Sequence, residues 1–473
     1  MAKSGVFEAI DQRDDDLRAL SKDIWEHPEI GLEEEYAANR LREELESAGF
    51  TCERGIGGMP TAFTATYGEG EPVIGILGEY DALPDLSQTV STSREAVEVG
   101  DAGHGCGHNL FGVAGIGAAM ALAEAIDRGE VEGTVRFYGT PAEETIVGKV
   151  FMARAGAFDD LDAALTWHPA DVTGPQRTSS LAVDSIKYTF TGTPAHAAMA
   201  PGAGRSALDA VQLMNTGVEY LREHAPDKAR IHYTITDGGG APNVVPAEAT
   251  VWYFIRSPTR PQVENLTNRV DNIAEGAALM TETEAKRKYV TGAWELLTND
   301  TIADLMWENM QDLGPVPYDE DDREFAAELH ETIETETLLT RLDDMPPAAR
   351  EALEGESLYA EPLERTDAGE IMMGSTDVSD VSWIAPTAQF RASAWPVGAR
   401  AHTWQATAAS GGFGRRSVPY AAKVLAGTAY DLMSSPERLE AATEEFESAT
   451  GRRSYETPLP SDAEPPFGAG MQY

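Results

Sequence analysis

The stretch Asp101–Leu110, DAGHGCGHNL, places His104, Cys106 and His108 within five residues of a chain that holds nine histidines and two cysteines. Thiolate sulfur and imidazole nitrogen are the ligand types that suit zinc or a similar divalent ion. In an extended segment alternate side chains point the same way, so Cys106 and His108 are expected to face one point. The glycines at 103, 105 and 107 remove side-chain bulk and are expected to let the backbone wrap closely around an ion. Two ligands do not make a site. The others must come from elsewhere in the chain.

They are expected where runs of strand character end. The apolar run VIGILG, closing at Gly78, suits a buried strand of a parallel sheet, and Asp81 follows it. Thr134–Gly139 (TVRFYG) runs into the pair Glu143-Glu144, and Ala163–Trp167 runs into His168. A late AHTWQ supplies His402. Sites in open α/β sheets lie at the carboxyl ends of strands. Cys106, His108, Glu144 or Glu143, His168 and His402 are too many ligands for one tetrahedral zinc, but they suit two ions sharing a bridge. Asp81 taken alone is better explained as a turn or helix-cap residue. His27, in the break His27-Pro28-Glu29, reads as structural.

The elements that must position these residues follow from hydrophobic periodicity. Residues 7–48 read as helices, with Leu17, Leu20, Ile24, Leu41 and Leu45 at helical spacing. Phe111–Ile126 reads as a buried helix, and its glycines do not match a dinucleotide fingerprint. From Leu181 the order strand, helix, strand, strand, helix, strand is the ferredoxin-like pattern. The fold class is therefore α/β. A catalytic domain, mainly a parallel sheet flanked by helices, is expected over residues 1–181 and 298–473, with a ferredoxin-like α+β domain inserted at 182–297. The acidic stretch 318–366 reads as surface helices and a solvated loop, Gly374–Asp380 as a polar turn-rich loop, and the tail from Ser454 as extended on the surface.

A length of 473 residues exceeds what one core usually organises, and 42% hydrophobic residues suffice for packed cores. The formal net charge is −43, with lysine scarcer than arginine. Self-repulsion on that scale destabilises a compact chain, whereas at molar salt the Debye length falls to about 3 Å. The acidity points to a salt-rich, halophilic cytoplasm and argues against nucleic acid or an anionic membrane as partner. No apolar signal core opens the chain, and no stretch reads as long and apolar enough to span a bilayer. Cys52 and Cys106 are expected to stay reduced.

The ordered segments GEYDALP, GHGCGHN, TPAEE, the WHP around His168, GTPAHAAMAPGAGRSALDAV, APNVVPAEA and HTWQ carry a specific resemblance. From about Leu17 to Ser410 the chain resembles the metallopeptidase family of aminoacylases, carboxypeptidase G and plant auxin-conjugate amidohydrolases. The resemblance implies that Cys106 bridges two divalent ions, zinc or manganese. His108 and His168 would complete one ion's ligands, and Glu144 and His402 the other's. Glu143 would be the general base and Asp81 would orient a ligand. The inserted domain would be a dimerisation lid, making a homodimer in which His196 reaches the partner's active site. Asn243 and Arg256 would hold the substrate carboxylate. The implied reaction is hydrolysis of N-acyl or N-aroyl amino acids of the p-aminobenzoyl-glutamate kind. A dipeptidase and a non-catalytic metal-binding partner subunit stand as alternatives, and a second, different subunit is compatible with either. Two departures stand out: Glu79 occupies a position where many two-metal relatives carry histidine, and Ala401 one where glycine is common.

Overall fold

The computed structural model describes residues 3–343, 345–364 and 367–468. Three helices open it, α1 (Ser4–Asp11), α2 (Asp14–Glu26) and α3 (Glu35–Ser47), and the expected leucines and Ile24 are buried along one face. His27 ends α2, where its Nδ1–H donates to the Asp23 carbonyl at 2.7 Å and its ring stacks on Tyr36.

The first sheet contains β1 (Thr51–Arg54), β2 (Phe63–Glu69), β3 (Val73–Gly78), β4 (Gly133–Gly139), β5 (Ala163–Ala170), the short β6 (Gly174–Pro175) and a late β11 (Thr387–Ser393). Its order is β1-β2-β4-β3-β5-β11-β6. The four central strands β4, β3, β5 and β11 run parallel, while the pairs at both edges are antiparallel. Parallel strands need crossovers on the sheet faces, and α4 (His108–Asp127) and α5 (Gly148–Arg154) supply two of them. The helix α4 is buried almost all round; an added Cβ at Gly112 would sit 2.8 Å from the Glu79 carbonyl. By length and composition α4 is apolar enough to cross a membrane, contrary to the expectation that no stretch is. Yet 89% of its apolar window is buried inside the protein, which makes it a core helix.

The second sheet is formed by β7 (Ala182–Thr191), β8 (Arg230–Asp237), β9 (Glu248–Ser257) and β10 (Glu284–Ala293), in the order β10-β7-β9-β8 with every pair antiparallel. One face is covered by α6 (Ala207–Arg222) and α7 (Arg260–Thr281), which pack on Ile186, Tyr188, Val251 and Tyr253. In chain order the strands lie 4-1-3-2, the ferredoxin-like arrangement. The last strand starts four residues earlier than Lys288, because its exposed opening EAKRK lacks the apolar alternation that marks a strand.

The chain then returns to the first sheet through α8 (Asp300–Leu313), α9 (Glu320–Glu331), α10 (Thr335–Asp343), α11 (Pro347–Leu353), α12 (Val378–Ser382), α13 (Trp404–Gly411), α14 (Ser417–Ser434) and α15 (Pro436–Thr450). Three expectations are corrected here. The acidic stretch is helical but not merely solvated, since Leu342 and Leu353 are buried and Arg341 of α10 pairs with the buried Asp171 at 2.8 Å. The polar loop at 374–380 runs inward, with Asp377 and Asp380 buried. The tail is pinned: Tyr455 donates to Asp380 Oδ1 at 2.6 Å, Trp294 Nε1–H donates to the Glu456 carbonyl at 2.9 Å, and Leu459 is buried. Cys52 and Cys106 are both free thiols.

Between β4 and α5 the backbone folds back so tightly that an added Cβ at Gly148 would meet the Pro141 carbonyl oxygen at 1.9 Å. Gly148→Ala is therefore expected to lower the unfolding free energy by about 1–3 kcal/mol, read from denaturant midpoints at unchanged m. An unmoved midpoint would show that this turn has slack.

Candidate dinuclear metal centre

Asp101–Leu110 is not an extended segment. Residues 104–107 form a tight turn and His108 is the first residue of α4. Cys106 and His108 converge because Gly107 between them takes φ +75°, a left-handed conformation that glycine adopts without strain. The neighbouring glycines serve packing: an added Cβ at Gly103 would lie 2.0 Å from the Leu86 carbonyl oxygen. Convergence thus comes from a turn at a helix start, and the two-residue alternation of a strand plays no part.

Around this turn the carboxyl ends of β3, β4 and β5 deliver Asp81, Glu143-Glu144 and His168. His168 lies inside β5, two residues before its end. The ligand atoms of Cys106, His108 and His168 all lie within 4.8 Å of one another, and so do those of Cys106, Glu144 and His402. Cys106 belongs to both groups. Its Sγ is 3.3 Å from His168 Nε2, and His402 Nε2 is 3.0 Å from Glu144 Oε2. Ligands about 2.0–2.3 Å from a tetrahedral ion stand roughly 3.3–3.7 Å apart, so these spacings suit coordination.

The hydrogen bonds leave the right lone pairs open. His108 Nδ1–H donates to Asp81 Oδ1 at 2.8 Å, and His108 Nε2 is buried without a hydrogen-bond partner. His168 Nδ1–H donates to the Pro169 carbonyl at 2.6 Å, which turns Nε2 toward Cys106. Glu144 Oε1 is likewise buried and unpartnered. A histidine held through one nitrogen by a carboxylate or carbonyl presents the other to a metal. Asp81 does more, since its Oδ2 accepts the Glu144 backbone N–H at 2.9 Å and so ties the two ligand groups together. The donor set fits two divalent cations.

Two neighbouring segments hold strained backbone in place. Ala142 (φ +55°), Ile146 (φ +60°) and His402 (φ +66°) are left-handed without being glycine. Such residues cost of order 1–3 kcal/mol each and persist where surroundings over-determine them. Buried Glu34 accepts the Ala142 N–H at 2.8 Å, Thr291 of β10 donates to the Ile146 carbonyl, and the His402 N–H donates to the Gly105 carbonyl at 2.8 Å. The first two contacts brace the turn that carries Glu143 and Glu144.

The charges need balancing. Burial pushes the Cys106 thiol up, and burial with the neighbouring Glu79 and Asp377 carboxylates holds Glu143 well above the usual carboxylate range. Burial disfavours the His108 imidazolium, but Asp81 and Cys106 outweigh it and raise its pKa; a bound cation would take that proton's place. Hydrogen bonding to Cys106 and Glu144 raises His402 to about 11. His104 is buried and belongs to neither ligand group.

Two residues of this network, Lys149 and Asp377, escape sequence reasoning as site residues, and a third, Glu79, stands out there only as a departure from histidine. Lys149 is fully buried, with Nζ 2.7 Å from Glu79 Oε1 and 2.6 Å from Asp377 Oδ1, and its N–H donates to Asp377 Oδ2 at 2.8 Å. Glu79 Oε2 stands 3.3 Å from His108 Nε2, and Glu79 groups with His108 and Glu143 as a third potential ligand set. A lone lysine in the apolar helix GKVFMAR was the available signal, in a chain poor in lysine. Lys149→Met leaves two buried carboxylates uncompensated and is expected to destabilise the protein by about 3–5 kcal/mol in chemical denaturation. A change within about 0.5 kcal/mol would mean that the pair carries no net energy.

The ligand groups border a cavity of ≈ 530 Å³ that Glu143 and Arg256 also line. Arg256, from β9, has a buried Nε without a hydrogen-bond partner, and burial lowers its pKa. His196 and Asn243 do not line this cavity. They sit together on the second unit, both exposed, joined by the His196–Val244 bridge and by the Ala197 N–H donating to the Asn243 carbonyl at 3.0 Å. His196 Nδ1 accepts the Met199 N–H at 3.2 Å.

Comparison with known proteins matches this architecture. Residues 182–281 match the peptidase dimerisation domain of the M20 peptidases. The chain is 41% identical to a p-aminobenzoyl-glutamate hydrolase subunit from Escherichia coli, over 94% of this chain and 95% of that one. It is 30% identical to the Xaa-Arg dipeptidase of Mus musculus, over 94% and 92% of the two chains. Among solved structures, a Bacillus subtilis dinuclear metal-binding peptidase of the M20 family superposes with TM-score 0.57 at 19% identity, covering 90% of this chain and 99% of that one. Likeness of this extent, with nearly the whole length shared, makes the chain a member of the M20 metallopeptidase family and a hydrolase of peptide-like amide bonds.

Proposed function

We propose that the protein hydrolyses the amide bond of N-acyl or N-aroyl amino acids, of the p-aminobenzoyl-glutamate kind, using two divalent ions, zinc or manganese. The observation that carries this reading is a pair of three-residue ligand groups sharing Cys106, with the Glu143 carboxyl beside them and outside both. His108 and His168 would hold one ion and Glu144 and His402 the other, with Cys106 belonging to both groups. When bound, the ions would supply a water of lowered pKa and withdraw electron density from the amide carbonyl.

The chain's own groups do the rest. Glu143 takes a proton from the attacking water as its oxygen bonds to the carbonyl carbon. It returns that proton to the leaving nitrogen as the C–N bond breaks, a role that typically contributes about 10²- to 10⁴-fold. Asp81 holds the His108 ring and the Glu144 backbone in register. Arg256, desolvated and with an unpartnered Nε, binds the substrate's carboxylate through its planar fork. His196 and Asn243 act on the partner's cavity in a homodimer formed through the second unit, as their exposure on that unit supports. The E. coli relative is named as one subunit of its hydrolase, so a second, different subunit is compatible with this reading.

The runner-up is a dipeptidase with the same machinery, which the 30% likeness to an Xaa-Arg dipeptidase favours. A purely structural metal site is disfavoured, because it has no use for a spare carboxyl beside its ligands. The charge of −43 supports a salt-rich cytoplasm as the enzyme's setting.

Glu143→Gln is expected to abolish release of amino acid from N-benzoyl conjugates and dipeptides while metal content, read by elemental analysis, stays at two ions per chain. Retained turnover, or loss of metal, would remove Glu143 from the role of base. The melting temperature of the unsubstituted protein is expected to climb from about 0.1 M to about 1 M KCl as screening relieves self-repulsion. A flat profile would contradict adaptation to salt.

A further inference from the structure

The cavity beside the ligand groups gathers Arg256, Arg341, Arg391 and Arg400, in a chain whose Asp and Glu outnumber Lys and Arg by 79 to 36. Positive charge collected against that background selects for anions. The four are not equivalent. Arg341 is engaged by buried Asp171 at 2.8 Å, and Arg400 is exposed. Arg256 comes from β9 of the second unit and takes one carboxylate under the reading above.

Arg391 comes from the other side of the fold. It lies on β11 directly across from His168 of β5, in the central parallel sheet. Its Nε donates to Gln176 Oε1 at 3.3 Å, and its Nη2 lies 3.1 Å from Met372 Sδ. Gln176 is itself buried, so these two neutral groups help orient the guanidinium on a rigid strand at the cavity wall. Beside Arg341, its charge helps hold the buried Asp171 ionised. A substrate amide placed at the ligand groups therefore has two guanidinium forks within its own cavity, on two different units. A leaving amino acid with a neutral side chain uses only one of them. A cationic side chain would meet like charge.

We infer that Arg391 is a specificity-determining residue that binds the side-chain carboxylate of the leaving amino acid, so that this enzyme prefers acyl conjugates of glutamate or aspartate. The assignment rests on the proposed amidohydrolase reading and separates the chain from a dipeptidase that releases a cationic residue.

The test compares the unsubstituted enzyme with Arg391→Met and Arg391→Lys, each with metal content measured. The substrates are N-benzoyl-L-glutamate, N-benzoyl-L-glutamine and N-benzoyl-L-arginine. Calorimetric binding of L-glutamate against L-glutamine supplies a readout independent of turnover. The glutamate-over-glutamine ratio of kcat/KM is expected to fall about 10- to 100-fold in Arg391→Met, as for loss of one charge-assisted hydrogen-bonded contact, and to recover partly in Arg391→Lys. The binding preference for L-glutamate should fall in parallel. An unchanged ratio in Arg391→Met overturns the inference, as does equal cleavage of the arginine and glutamate conjugates by the unsubstituted enzyme. Loss of both substrates together with metal also overturns it, since Arg391 would then only support His168. If no conjugate is cleaved, the proposed reaction fails and calorimetry alone decides. An Arg391-dependent preference for L-glutamate then sustains the subsite, and its absence removes it.

Discussion

Glu79, Asp81, Glu143, Glu144, Asp377 and the Cys106 thiol are packed into one largely buried volume, and the molecule is arranged so that positive charge can stand among them. Removing a carboxylate from water costs several kcal/mol even after relaxation, so such a cluster is tolerable only with cations at hydrogen-bonding distance. Lys149 supplies one fixed charge between Glu79 and Asp377. His108 gives its Nδ1–H to Asp81 and turns Nε2 to the ligand cluster, where a bound cation would stand in for its second proton. The remaining deficit is what makes two divalent ions chemically reasonable occupants.

The fold meets that constraint by placing each group at a point where the backbone changes character. Parallel strands β3, β4 and β5 end on the same side, so the turns that follow them converge without any long side chain reaching across. The start of α4 adds Cys106 and His108 through one left-handed glycine. The turn after β4 is held in an unfavourable conformation at Ala142 and Ile146 by Glu34 and Thr291. Thr291 belongs to the second unit. The turn that carries Glu143 and Glu144 is thus braced partly by the unit that also carries Arg256, which links the geometry of those carboxyls to the element that presents a cavity-lining guanidinium.

Charge is organised at two scales. The outer surface is strongly acidic, yet the cavity wall holds arginines from both sheets, with Asp171 paired at short distance to Arg341. Local guanidinium groups act over a few ångströms in a partly desolvated cavity, where salt screens poorly. The surface charge acts through solvent, where salt screens well. Anion selectivity at the site and acidity of the exterior are therefore compatible at high ionic strength.

By itself the sequence determined what depends on local pattern and residue type. Strands β3, β4, β5 and β9, the buried helix α4, the strand-helix order of the second unit and the residues Cys106, His108, Glu143, Glu144, His168 and His402 were all legible, because periodicity and unusual ligand chemistry are properties of short stretches. The strand β1 and the opening of β10 were not legible, since their exposed polar residues carry no alternation. Nor was the turn geometry at Gly107, which packs against Pro169 and Ser410. Only the tertiary structure could bring Lys149 between Glu79 and Asp377, 70 and 228 positions away in the chain, or set Arg391 beside His168. A buried charge finds its partner through the close packing of the core, and no spacing rule along the sequence describes that neighbourhood.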